Sequence, residues 1–142
     1  MNKSKYVFAQ LIAFLDRNHF NYLVRKYAGD IYVKHFTCWN QLLTLMFGQL
    51  SNRESMRDLI IAIEAHHQKC YHLGLGKHVT RSNLGKANTN RDYRIIEEYA
   101  YYFVSEARRK RTTGKYIILV FSYRLPAELK YRIYYSLDEK KE

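Results

Sequence analysis

Along the first hundred positions apolar residues recur every three or four places, the period of helices that bury one face. In YVFAQLIAFLD, Val7, Leu11, Phe14 and Leu15 share a side. In FNYLVRKYA, Phe20, Leu23, Val24 and Tyr27 do the same, which predicts two helices with a break near residues 17–19. GDIYVKHF shows no clear period and is assigned no state, an extended segment being one option. Thr37 is a good N-cap for a helix with a wide stripe of Trp39, Leu42, Leu43, Met46, Phe47 and Leu50. Two capping boxes follow, Ser51 with Glu54 and Ser55 with Asp58. Either starts a helix that buries Met56, Leu59, Ile60 and Ile63. HLGLGKHV reads as a turn, after which Thr80 caps a short helix from Arg81. NTNRD breaks or kinks that helix, and Asn90 or Asp92 caps the next. The last helix carries Ile96, Tyr99, Ala100, Phe103 and Ala107 on one face and ends in ARRKR, where cations suit a helix C-terminus.

Beyond Gly114 the pattern changes. KYIILVFSYR is a β-branched run that reads as a strand without a partner strand, AELKYRIYYSL as a short helix, and DEKKE as a frayed tail. One proline, Pro126, and six glycines leave few breaks in the chain. The expectation is a mostly α fold: a small multi-helix domain with a helix-turn-helix-like unit and a short strand-like C-terminal tail. A helical domain over 1–113 precedes a remnant over 114–142.

Composition narrows the partners. The 142 residues are 47% hydrophobic, enough for a core, and carry a formal charge of +11. Such a charge favours polyanions, nucleic acid first and anionic membranes second. No apolar run of about 18 residues and no signal-peptide core occur, so a soluble, cytoplasmic protein is expected. Cys38 and Cys70 have no metal or redox spacing and read as buried, reduced thiols. His66, His67, Cys70, His72 and His78 lie close together but match no standard zinc pattern. No metal or other cofactor and no small-molecule substrate is expected. Most of the 14 tyrosines read as core or rim residues, base stacking being the alternative. No acid follows a strand in the way a two-metal nuclease requires.

From Ala65 to Arg91 there is no Asp or Glu. At 100° per residue Ser82, Asn83, Lys86 and Asn90 fall within an arc of roughly 100°, leaving Leu84 and Ala87 to pack inward. Cations, amides and hydroxyls on one narrow face are what a recognition helix needs. Lys and Arg donate to guanine or neutralise phosphate, and Asn pairs with adenine. Arg81, Ser82, Asn83, Lys86 and Asn90 are expected to face a DNA groove. Lys77, Arg91 and Arg94 are expected to anchor phosphates, with Thr80 and the helix N-terminus adding a phosphate site. The helix at 55–65 would support this unit through a long connection over 66–79. The plainer alternative is a solvated basic helix.

The order of FAQLIAFLDRNHFNYLVRKYAGD, KHFTCWNQLLTLMFGQLSNRESMRDL and HLGLGKHVTRSNLGKANTNRDYRIIEEYAYYF resembles the N-terminal domain of bacterial DDE-type insertion-sequence transposases. In those proteins a helical domain of unknown function precedes an RNase H-like catalytic domain. The resemblance spans roughly residues 6–113. It is most specific in FTCWNQLLTLMFGQLSN with SMRDL, and in RSNLGKAN with RDYRI. At the latter the family reads closer to Arg-Ser-Thr-Leu-Ser-Asp-Ala-Asn, so Asn83, Gly85 and Lys86 depart from it. The resemblance implies recognition of terminal inverted repeats in double-stranded DNA, in the bacterial nucleoid. It also places the first catalytic Asp after a strand near residue 116, where YIILVFS runs into Ser122, Tyr123 and Arg124. The chain is therefore expected to be a truncated, non-catalytic transposase. The alternatives are a module that uses its Trp39 and 96–103 faces to dimerise with and inhibit intact transposase, or a non-functional remnant.

Overall fold

The computed structural model describes residues 7–51, 53–77 and 79–109. These residues are mostly helical and hold seven helices and no strand. They are α1 (Val7–Ala13), α2 (Arg17–Lys26), α3 (Cys38–Leu50), α4 (Met56–Ala65), α5 (His67–His72), α6 (Arg81–Asn90) and α7 (Arg94–Arg109). The expected strand, final helix and domain boundary at 113/114 lie outside the described residues. A division between two compact units falls inside α7, after Tyr99. In the described part of the second unit Ala100, Phe103 and Val104 are buried, and Arg109 pairs with Glu106 at 2.8 Å.

In the first unit α3 is the central element. Cys38, Trp39, Gln41, Leu42, Leu43, Thr44 and Met46 are all buried, covering most of its circumference rather than one stripe. α1 and α6 pack on it, and α6 also packs on α4. Phe20 of α2 meets Trp39 edge-on at 5.4 Å and Tyr99 of α7 at 5.0 Å. Tyr99 is wholly buried, and its hydroxyl donates to the Asp16 carbonyl at 3.1 Å. Trp39 is only 9% exposed, with the Arg17 guanidinium over its ring. The expected docking face at Trp39 is thus closed within the fold.

Local signals explain the helix starts. Thr37 caps α3 in a reciprocal box with Asn40. Ser55 caps α4 by accepting from the Asp58 amide, while Ser51 closes α3 and starts nothing. Asp16 caps α2 by accepting from the His19 amide, so the first break lies at 14–16, ahead of the expected position. α7 buries Tyr99, Ala100 and Phe103 as its period predicts, but in its first turn it buries Ile95 and leaves Ile96 half-buried. Residues 30–36 are turns and bends, not an extended segment. Of the side expected to be buried, Leu15 is buried, but Phe14 is mostly exposed.

Both thiols are free and buried. Burial first, then a hydrogen bond with Asp30, pushes Cys38 up to about 12, and burial also raises Cys70. Only the thiolate is reactive. Iodoacetamide at neutral pH should therefore label neither cysteine in the native protein and both after denaturation, read by mass spectrometry.

Candidate nucleic-acid interface

Adjacent residues of α3 hold the two ends of the segment that contains α6. The Asn40 amide donates to the Gly74 carbonyl at 2.8 Å, fixing the turn that leads towards α6. That turn needs φ of +90° at Gly74 and +82° at Gly76, conformations glycine adopts without steric cost. The next residue, Gln41, holds the far end. Its Nε2 donates to Asn88 at 2.7 Å, and its Oε1 accepts from Arg91 Nη1 at 3.0 Å. Leu75, Val79, Leu84 and Ala87 are buried between these ties. Thr80 caps α6 by accepting from the Asn83 amide at 3.1 Å.

With Leu84 and Ala87 inward, the opposite face of α6 presents Ser82, Lys86, Thr89 and Asn90, all exposed. Asn83 is half-buried at the edge of this face. A Cβ built on Gly85 would meet nothing within 4 Å, so the backbone is open on this side. Arg81 is exposed at the first turn, and Lys77 lies just before it with its ammonium over the Tyr71 ring at 5.2 Å. Among the described residues Lys77, Arg81 and Lys86 make no ion pair. Lys77 and Val79 also line an open groove of about 520 Å³ between α4 and α5, whose wall includes Glu64 and His67. Among the described residues no cluster of His, Cys, Asp and Glu is arranged to hold a metal ion.

Two expected phosphate anchors are placed differently. Arg91 turns inward, and its side chain is 11% exposed. Its guanidinium donates to Gln41 and to the Phe36 carbonyl, lies 3.9 Å from Asp30, and covers the Phe36 ring. It is a tie between α6, α3 and the α2–α3 loop. Arg94 is exposed but paired with Asp92 at 2.6 Å and stacked over Tyr27 at 4.6 Å. Thr80 spends its hydroxyl on the cap. The α5 helix and the Gln41–Asn88 bond were not foreseen. A glutamine inside the apolar α3 segment was the available sign, since a buried amide requires partners.

Near Arg94 the carboxylates are held ionised. Tyr27 and then Lys26 hold the Glu98 carboxyl below its usual range, and Arg94 does the same to Asp92. Their folded values lie below the unfolded ones, so their contribution is present above the ordinary carboxylate range and lost as pH falls through the folded values. Melting temperature should drop between about pH 5 and 3, and Glu98→Gln should flatten part of that slope in an acid titration followed by circular dichroism.

Gly85 supplies a further expected result. Glycine inside a helix costs about 1 kcal/mol relative to alanine, and the site is open. Gly85→Ala should raise stability by about that amount in urea unfolding, while placing a methyl group on the outward face.

No curated protein and no solved structure matches the chain. A family model described as Domain of unknown function (DUF4372) matches residues 3–76, ending before α6. That match covers just over half of the chain, which therefore belongs to the DUF4372 family.

Proposed function

We propose that this chain is a duplex-DNA-binding module. In this reading it is the N-terminal domain of a DDE-type insertion-sequence transposase, and it recognises the element's terminal inverted repeats. The observation that carries the reading is the outward face of α6, where Ser82, Lys86, Thr89 and Asn90 stand together in a stretch with no acid from 65 to 91. A helix about 10–12 Å across fits a major groove about 12 Å wide when its exposed side chains are short. Lys86 reaches guanine O6 and N7, Asn90 and the edge residue Asn83 pair with adenine, and Ser82 serves either a base edge or a phosphate. Lys77 and Arg81 neutralise phosphates beside the first turn, whose early N–H groups point the same way. The sequence resemblance supports the transposase assignment. The role of these residues is binding, and chemistry on DNA belongs to a catalytic domain of the kind such enzymes carry.

Selection of bound sequences from random duplex DNA, repeated at two salt concentrations, tests this. A motif should be enriched. With about two phosphates neutralised by Lys77 and Arg81, affinity should fall about tenfold over a fourfold rise in salt. Lys86→Ala with Asn83→Ala should weaken the selected site strongly. No enrichment, or unchanged affinity in that double variant, contradicts the reading.

A further inference from the structure

The loop between α2 and α3 is tied down at its base and turns back through backbone hydrogen bonds from Ile31 to Ala28 and from Val33 to Asp30. α2 ends with the Gly29 amide donating to the Val24 carbonyl at 2.9 Å, and Ala28 takes the left-handed conformation at φ +54°. Gly29 then passes so close to the core that a Cβ would come within 2.6 Å of Ile95 and 2.7 Å of Cys38. Asp30 accepts from the Cys38 amide at 2.8 Å, and Phe36 is buried. Both roots, Asp30 and the Phe36 carbonyl, face the guanidinium of Arg91, the residue that closes α6.

Between these roots Tyr32 is 99% exposed at φ +60°. A bulky side chain rarely adopts that backbone state, and the fold persists in it only where its surroundings impose it. Here the strain is set on a ring that gains no burial. Ile31 beside it is 60% exposed, and Lys34 and His35 are exposed as well. The one acid of the segment, Asp30, is already hydrogen-bonded at the root. Rigid anchoring, a strained and unburied aromatic, an exposed lysine at Lys34 and a direct tie to the end of α6 occur together.

We propose that Tyr32 is a second DNA contact, a wedge that stacks against a base step of the duplex flanking the α6 site and unstacks it. This rests on the reading of α6 as the groove-binding helix. An aromatic ring has a face for any base, so the contact tolerates sequence, and apolar wedges flanked by cations bend duplexes in this way. Lys34 steadies an adjacent phosphate. A protein partner would also accept an exposed ring, but the exposed Lys34 and the tie to α6 favour the duplex.

The test uses the full chain and a duplex selected by it, with 2-aminopurine placed at successive positions beside the α6 footprint. Wild-type protein should raise the fluorescence at one position. Tyr32→Phe should keep that signal. Tyr32→Ala should abolish it and weaken affinity about tenfold or more, while Tyr32→Gly should melt at or above the wild-type temperature yet bind like Tyr32→Ala. If Tyr32→Ala unstacks and binds as wild type while Lys86→Ala loses affinity, the wedge is overturned and the α6 reading stands. If no variant and no wild-type protein binds any duplex, the α6 reading falls and takes the wedge with it. If Tyr32→Ala keeps its DNA signal but loses self-association in sedimentation, the loop serves a protein contact and the wedge is again overturned.

Discussion

Tyr99→Ala should destabilise the first unit by about 3–5 kcal/mol, the range for deleting a fully buried aromatic side chain. Tyr99 has no exposed surface, meets Phe20 edge-on, and stacks with His19 at 6.4 Å. Its removal leaves a void between α2 and α7 where Phe20 and Leu23 are also buried. It also strips a donor from the Asp16 carbonyl, beside the cap of α2. Tyr99→Phe separates these effects. It keeps the ring and loses one neutral hydrogen bond, so a cost of about 1 kcal/mol is expected. Because small domains hold about 5–15 kcal/mol in all, the alanine variant should show a large fall in urea midpoint. Equal losses in the two variants would mean that the hydroxyl, not the packing, dominates.

Arg91→Ala should cost about 2–4 kcal/mol, since hydrogen bonds to a largely buried charge are lost and their acceptors stay behind. The stranded groups are the Phe36 carbonyl and the Gln41 amide oxygen, with Asp30 losing its nearest cation. Arg91→Lys should recover less than half, because one ammonium cannot bridge acceptors that a planar guanidinium spans. The same residue discriminates two accounts of DNA binding. As an inward tie, Arg91 contributes no phosphate contact, so the charge-removing Arg91→Gln should leave the salt slope of binding unchanged even where affinity falls. Lys86→Ala should reduce that slope by about 0.9 if Lys86 touches a phosphate. A slope that drops equally in Arg91→Gln would return Arg91 to the DNA.

Much of the helical layout is legible along the chain because its causes are local. A cap is a contact between a hydroxyl and an amide three residues on, so Thr37, Ser55 and Thr80 announce α3, α4 and α6. The inward turn of Leu84 and Ala87 follows from helical period alone. Asp16 is an equally local cap, overlooked because apolar residues run up to it from α1. The first turn of α7 is different in kind. Ile95 and Ile96 are both apolar, and only the partners across the core select Ile95. α5 has a single buried residue, Cys70, so it carries no stripe to read. Arg91 was unreadable for the same reason, its acceptors lying some 50 residues away at Phe36 and Gln41. Charge count predicts that a segment is cationic. Which cations face outward depends on acids and carbonyls that only folding brings near.

The central claim is that the outward face of α6 meets a duplex. The most direct measurement is a titration of isotopically labelled protein with the selected duplex, followed by amide chemical shifts. The claim predicts the largest shifts at Arg81, Ser82, Gly85, Lys86 and Thr89, with little change along the buried turns of α3. Shifts confined to other surfaces, or none on adding a duplex that binds, would contradict it.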